Sequence, residues 1–299
     1  IACWKAAPAL AAGKAFILKP ASISPLTALK LGEIAQAAGL PPGVLQVVPG
    51  AGSAIGDALV THPVIRKVSF TGSTEMGRRI MELAARDLKR VSLELGGKSP
   101  NIVFADADWE RAAESSPMSV FANSGQDCCA RSRVFVERGI FEPFVERFVA
   151  ATRKLIVGDP ADPKTQLGPL VTQAHRASVE EYLTDARACG ARFACGGGRP
   201  QPRGFYLEPT VLLGVGESDR CWREEIFGPV VAIVPFDDEA RMLQAVNASP
   251  YGLSGSLWTN DLRRALRVAK AVESGVLSGN SHSRVHVKAP FGRFKPSGS

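Results

Sequence analysis

The sequence has 299 residues, 45% of them hydrophobic, enough for a sizeable core and long for a single domain. No apolar run reaches the roughly 18 residues of a membrane-spanning helix. The formal net charge is +7, but Lys and Arg are spread along the chain. Even the densest stretch, Arg284 to Lys295, alternates them with apolar residues, so nucleic acid is set aside as a main partner. Six cysteines, two of them adjacent and the rest irregularly spaced, make no disulfide framework, and a reduced, cytoplasmic compartment is expected. The opening Ile1-Ala2-Cys3-Trp4-Lys5 lacks the shape of a signal peptide.

Ala15 to Leu18 is a short apolar run, read as a strand. Ser24-Pro25 supplies an N-cap and a proline at the first helical position, and Leu26, Leu29, Ile34 and Ala37 follow at roughly helical spacing. Gly39 and Pro41-Pro42 end that helix. Leu45 to Val48 is a second strand, and Pro49-Gly50-Ala51-Gly52 turns into a helix running to about Thr61. Lys67 to Phe70 is a third strand, Gly72-Ser73-Thr74 opens a helix to about Ala85, and Arg90 to Leu95 is a fourth strand. Such alternation predicts an α/β fold, a parallel sheet with helices on both faces.

Two of these strand-to-helix turns are candidates for a dinucleotide. Gly50-x-Gly52-x-x-x-Gly56 approaches the usual glycine fingerprint without matching it. Gly72-Ser73-Thr74-x-x-Gly77 is the better candidate. Gly72 allows close backbone approach, Ser73 offers a hydroxyl, and the helix start presents free N–H groups to a pyrophosphate. Read alone, the same residues describe a helix capped by Ser or Thr.

Beyond Gly96-Gly97, Asn101 to Phe104 reads as a strand. Asp106-Ala107-Asp108 caps a helix running from about Trp109 towards Asn123, and Ser115-Ser116-Pro117 is expected to kink it. Phe141, Val145, Phe148, Val149 and Thr152 mark an amphipathic core helix, and another helix spans about Gln173 to Cys189. Gly196-Gly197-Gly198 is a turn, not a phosphate loop. The loop Glu224 to Pro229 stands before a strand, Val230 to Phe236. His282 and His286 are four apart in an extended segment, where that spacing makes no helical metal pair, and no metal site is expected.

Two stretches stand out for chemistry. In Phe121-Ala122-Asn123-Ser124-Gly125-Gln126-Asp127-Cys128-Cys129-Ala130, adjacent thiols lie in a polar turn between a helix and a strand. In Leu93-Glu94-Leu95-Gly96-Gly97-Lys98-Ser99-Pro100, a carboxylate interrupts an apolar strand just before two glycines, a setting suited to a general base. Together these resemble the cysteine motif (FxNxGQxCxA) and the glutamate motif (LELGGKSP) of the aldehyde dehydrogenase superfamily. Further matches in the family's order are Trp4-Lys5, Leu18-Lys19-Pro20, Phe70 to Gly77, Leu167-Gly168-Pro169, Glu225 to Pro229, and Pro290-Phe291-Gly292. The family's PFGG reads Pro290-Phe291-Gly292-Arg293 here.

The resemblance implies a partial Rossmann-like dinucleotide-binding domain over residues 1–96 and a catalytic thiol domain over 97–299. It implies oxidation of an aldehyde to a carboxylic acid with NAD or NADP. Cys128 is the nucleophile by register, with Cys129 as the alternative, and Glu94 is the base. Lys19 lies along the adenosine ribose, and Ser22 stands where many NAD-preferring members carry a glutamate. Gly52, Gly72 and Ser73 face the cofactor phosphates, Glu225 the nicotinamide ribose, and Phe227 the nicotinamide ring. Trp4 lines the aldehyde tunnel. Asp127 resembles the amino-aldehyde branch; the alternative is a carboxylate that points to solvent or pairs with Arg131 or Arg133. The resemblance further implies that the chain is a fragment, starting inside the first domain and stopping before the family's C-terminal tail. The asparagine that completes the oxyanion site is expected upstream, and a homo-oligomer, dimer or tetramer, is expected of the full-length form. The rival readings are a truncated, non-catalytic remnant and a cofactor-free cysteine hydrolase or acyltransferase, which needs a histidine beside Cys128.

Overall fold

The computed structural model describes residues 1–282 and 289–299. His286, and with it the pairing considered for His282, lies outside the described residues, as does the start of the basic stretch at Arg284. The chain forms two compact units, Ile1–Leu93 and Glu94–Ser299.

The first unit alternates helices and strands: α1 (Ala2–Ala11), β1 (Phe16–Leu18), α2 (Leu26–Ala37), β2 (Leu45–Val47), α3 (Gly52–Thr61), β3 (Lys67–Thr71), α4 (Thr74–Ala85) and β4 (Arg90–Glu94). β1 pairs with β2 in parallel, and β3 pairs with β4 in a separate two-stranded sheet. α1 is not foreshadowed in the sequence, because it has no side-chain cap and carries Pro8 in its interior. α2 corrects a detail. Its N-cap is Pro25, whose carbonyl accepts from Leu29 N at 3.0 Å, and no side chain caps it, so Ser24 does not.

The second unit contains β5 (Pro100–Val103), α5 (Trp109–Phe121), β6 (Arg133–Glu137), α6 (Phe141–Arg153), α7 (Gln173–Ala188), β7 (Arg192–Cys195), β8 (Thr210–Leu213), α8 (Arg220–Arg223), β9 (Val230–Phe236), α9 (Glu239–Asn247), β10 (Ser254–Trp258), α10 (Leu262–Ala271) and β11 (Val276–Gly279). Its sheet has seven strands in the order β11-β10-β5-β6-β9-β8-β7, all parallel except β7 against β8. Successive side chains of a strand face opposite ways, so Ile102 and Phe135 join one core and Val103 and Val134 the other. The first core is covered by Val179 and Leu183 of α7, Met242 of α9 and Val268 of α10. The second is covered by Val120 and Phe121 of α5 and by Phe144 and Phe148 of α6. Burial on both faces explains the near-continuous apolar runs of β5, β6 and β9.

α5 carries the chain to the adjacent thiols. Asp108 caps it by accepting from Arg111 N at 3.2 Å. The helix runs on past Pro117 to Phe121. The Ser115 and Ser116 hydroxyls donate to the carbonyls of Arg111 and Ala112 at 2.7 and 2.5 Å, giving polar partners to the turn that the proline weakens.

Between β5 and α5, the Asp106 carboxylate gathers the end of β10. It accepts from Thr259 Oγ1 at 2.8 Å and from the backbone of Asn260 and Asp261 at 3.1 and 3.0 Å, and it pairs with Arg264 at 2.9 Å. Burial opposes its ionisation, but these bonds outweigh burial and hold the carboxyl below the usual aspartate range. A depressed folded-state pKa gives stability that is present above the unfolded value and lost as pH falls through the folded one. Asp106→Asn should therefore cost about 1–2 kcal/mol at neutral pH. In urea unfolding, the gap between parent and variant should close as the pH is lowered below about 4. A gap unchanged down to pH 2 would exclude this account.

Candidate active site

Open parallel sheets usually hold ligands at the carboxyl ends of their strands. In the second unit the unusual residues gather at the other edge. Gly96 to Ser99 enter β5, Cys128 to Ser132 enter β6, Glu225 to Pro229 enter β9, and Tyr251 to Leu253 enter β10. Because these strands are parallel, with Pro100 beside Arg133 and Arg133 beside Ala232, all four entries lie on one edge.

Glycines let the entries touch. A Cβ on Gly97 would fall on the Cys128 carbonyl oxygen, and one on Gly125 would fall on the Gly228 carbonyl. Gly125 also has φ +71°, following Asn123 at +54° and Ser124 at +56°. Three successive left-handed residues, two of them non-glycine, store strain beside the thiols. They are held by Asn123 Nδ2 to Gln126 O at 2.9 Å, Ser124 Oγ to Gly168 O at 2.6 Å, and Val171 N to Gln126 Oε1 at 2.9 Å. This distorted turn had no signal in the sequence beyond the Asn-Ser-Gly composition.

Cys128 is partly exposed and Cys129 is buried. Cys129 N donates to Asp127 Oδ1 at 2.7 Å. Among the described residues, no acceptor takes the Cys128 backbone N–H. The thiols share a hydrogen bond that divides their acidities. It pushes the Cys128 thiol far above its ordinary range, and burial and the charges of Asp127 and Glu225 push the same way. The same bond eases ionisation of Cys129 against its burial, helped by the Ser254 hydroxyl and the Arg131 charge.

Arg131 and Arg133 serve this edge from inside. Arg131 is fully buried. It donates to Cys129 O at 2.5 Å, Ser254 Oγ at 2.6 Å and Ser256 Oγ at 2.9 Å. Ser256 Oγ meets His282 Nδ1 at 3.0 Å, and His282 Nε2 meets Ser116 Oγ at 3.2 Å. Arg133 donates to Lys98 O and to the end of α9, and packs over Trp222. Burial brings Arg133 down to about 10, and burial together with the Arg133 charge brings Lys98 down to about 7. None of this buried cationic network was legible in the sequence, since its partners lie on β10 and α8 far along the chain.

Two carboxylates flank the Gly96-Gly97 turn. Glu225 Oε1 accepts from Gly97 N at 3.0 Å. Burial raises the Glu225 carboxyl, against the Gly97 bond and the Lys98 charge. Glu94 is bound through Oε1 by Arg293 Nη2. Its backbone bridges to Gly298, and Leu95 N donates to Ser297 O at 2.9 Å. The structure thus brings Asp127, Cys128, Cys129 and Glu225 together, and it engages the Glu94 carboxylate with Arg293. Phe227 is 41% exposed at φ +55°. Its carbonyl accepts from His175 Nε2 at 2.7 Å, and the two rings meet edge to face, a support absent from the sequence reading.

In the first unit, Lys19 Nζ and Ser22 Oγ converge on the Gly50 carbonyl at 3.4 and 3.1 Å. Ser73 caps α4 by accepting from Met76 N at 3.3 Å. Gly52 opens α3 with no atom near where a Cβ would stand, and Gly72 lies against the Phe70 ring. Helix starts and an ammonium beside a hydroxyl are groups of the kind an anionic cofactor takes. Trp4 lies on α1 and is 63% exposed.

The family model described as the aldehyde dehydrogenase family matches residues 1–299. Human retinaldehyde dehydrogenase 3 is 45% identical over 297 residues, covering 99% of this chain and 58% of that protein. Phenylacetaldehyde dehydrogenase of Pseudomonas fluorescens is 45% identical over 300 residues, covering 100% and 60%. Among solved structures, a betaine aldehyde dehydrogenase of Staphylococcus aureus in complex with NAD+ is 38% identical with a TM-score of 0.96, covering 100% of this chain and 60% of that one. An indole-3-acetaldehyde dehydrogenase of P. syringae, also with NAD+, is 41% identical with a TM-score of 0.97, covering 100% and 61%. The chain thus spans about three fifths of the length of the relatives it matches. No described helix is long and apolar enough to cross a membrane.

Since the Cys129 contact raises the Cys128 thiol, Cys129→Ala should lower the pH at which Cys128 is half-alkylated by iodoacetamide. Peptide mass spectrometry at pH 7 should show Cys128 modified about tenfold faster than in the parent. A midpoint that stays put or rises would mean that burial and Asp127 set the thiol alone.

Proposed function

This chain belongs to the aldehyde dehydrogenase family, and we propose that it encodes oxidation of an aldehyde to a carboxylic acid through a thioester on Cys128. The observation that carries the reading is the accessible Cys128, whose backbone N–H has no acceptor among the described residues, on the same strand-entry edge as the Glu94 turn. Cys128 reacts as the thiolate, its proton lost to solvent; the sulfur adds to the aldehyde carbon, and the Cys128 backbone N–H donates to the oxyanion that forms. NAD or NADP, when bound, would supply the acceptor for the hydride on that carbon. Glu94 takes a proton from the water that attacks the thioester, and the acid leaves Cys128 regenerated.

By the family resemblance, Gly52, Gly72 and Ser73 would face the cofactor phosphates, Lys19 and Ser22 the adenosine ribose, Glu225 the nicotinamide ribose and Phe227 its ring. The uncharged Ser22 admits either cofactor. The full-length form acts as a homo-oligomer, as the family resemblance implies. The hydrolase alternative loses ground because the described histidines with named partners turn elsewhere, His175 to Phe227 and His282 to Ser116 and Ser256.

For substrate, the reading favours an aldehyde bearing an ammonium group. Asp127 and Glu225 both place negative charge beside Cys128, and the match to a betaine aldehyde dehydrogenase supports the same class. Trp4, at the aldehyde tunnel by resemblance, adds a cation–π contact.

In a full-length form, Cys128→Ala should abolish turnover. Glu94→Gln should slow the steady-state rate more than tenfold while the first-turnover burst of reduced cofactor survives, because hydride transfer precedes its role. Retained turnover in Cys128→Ala would refute the assignment. The ratio of kcat/KM for 4-aminobutanal to that for an uncharged aldehyde of equal length should exceed one and fall in Asp127→Asn. A ratio near one in the parent leaves Asp127 as an ordinary carboxylate.

A further inference from the structure

Arg293 stands where the resembling families carry a second glycine, and its side chain does not turn to solvent. Its Nη2 binds Glu94 Oε1, and the two side chains are only 20% and 22% exposed. The backbone that delivers it is pinned on both sides. Gly292 approaches Gly275 so closely that a Cβ on Gly275 would overlap the Gly292 carbonyl. Phe294 N donates to Gly252 O at 3.0 Å, Ser297 Oγ to Gly96 O at 2.8 Å, and Gly298 bridges to Glu94. The segment therefore lies along the Glu94–Gly97 turn, with the guanidinium directed at its carboxylate.

We propose that Arg293 is a latch on the general base: it holds Glu94 in an ion pair that must open before Glu94 can take a proton from water, so that hydrolysis of the Cys128 thioester limits turnover. This rests on the thioester reading above. An oxygen engaged by a guanidinium in a charge-assisted bond is a poor proton acceptor until that bond is released. The geometry also allows release. Arg293 Nε is buried with no acceptor among the described residues, so the guanidinium is fastened to Glu94 at one end and to no second carboxylate. Arg293 is thus a positioning residue. It touches neither the sulfur nor the aldehyde in this arrangement, and it acts through the carboxylate that does the chemistry.

The test is stopped-flow reduction of NAD by a full-length form, read as burst amplitude and steady-state rate, with the Cys128 acyl adduct followed by mass spectrometry. The parent should show a burst near one equivalent, slow turnover and an accumulated adduct. Arg293→Gly should raise kcat about tenfold and shrink both burst and adduct, with KM for the cofactor little changed. Arg293→Gln should move the same way if the glycine variant folds poorly, and Arg293→Lys, which keeps the cation, should stay near the parent. The gain must vanish in the double variant Arg293→Gly/Glu94→Gln, a dependence that a merely structural role would not produce. An unchanged or lowered kcat in both neutral variants overturns the latch, as does a gain that persists without Glu94. A parent that turns over with no burst overturns the latch, and Cys128→Ala then decides the thioester reading separately: lost turnover keeps it and retained turnover ends it.

Discussion

A side chain at Gly97 would fall on the Cys128 carbonyl oxygen, so the glutamate turn and the cysteine turn can meet only backbone to backbone. The rest of the second unit follows from this contact. The turn that enters β5 must lie beside the one that enters β6, which requires those strands to be parallel neighbours in register, Pro100 beside Arg133. The same closeness puts Gly97 N within hydrogen-bond reach of Glu225, so the loop entering β9 joins the site as well. Three segments distant in sequence converge because Gly97, and Gly125 against the Gly228 carbonyl, lack a β-carbon.

That convergence is electrostatically expensive, and the network beneath it shows how the cost is met. Negative groups at Asp127 and Glu225 crowd a thiol, while Arg131, Arg133 and Lys98 lie buried behind the loops. Each buried cation donates to backbone carbonyls or hydroxyls, Arg131 to Cys129 O, Arg133 to Lys98 O and Lys98 to Cys221 O. Buried charge is tolerated when its hydrogen bonds are satisfied, and here those bonds also fix the loops that carry the thiols. Rigidity and local potential come from the same side chains.

The two carboxylates of the Gly96-Gly97 turn show how context separates similar groups. Glu225 is buried, and burial favours its neutral form. Glu94, one strand entry away, meets a guanidinium instead. Their settings are decided by distant neighbours, Arg293 for Glu94 and Gly97 for Glu225.

Much of this was legible in the sequence. The alternation from β1 to β4 and the span of β9 follow from apolar periodicity and glycine punctuation. Asp108 and Ser73 are caps whose chemistry is local, and the cysteine and glutamate motifs announced the family. What escaped was whatever depended on distant partners. α1 lacks a start signal. The left-handed run Asn123 to Gly125 is held by Gly168 and Val171. Arg293 is only a departure from the PFGG motif in the sequence and becomes the partner of Glu94 when residues 199 apart are brought together. Propensity and capping are short-range and are written in neighbouring residues. Burial, strain and charge pairing are set by what the fold places across from them, and only the tertiary structure supplies that.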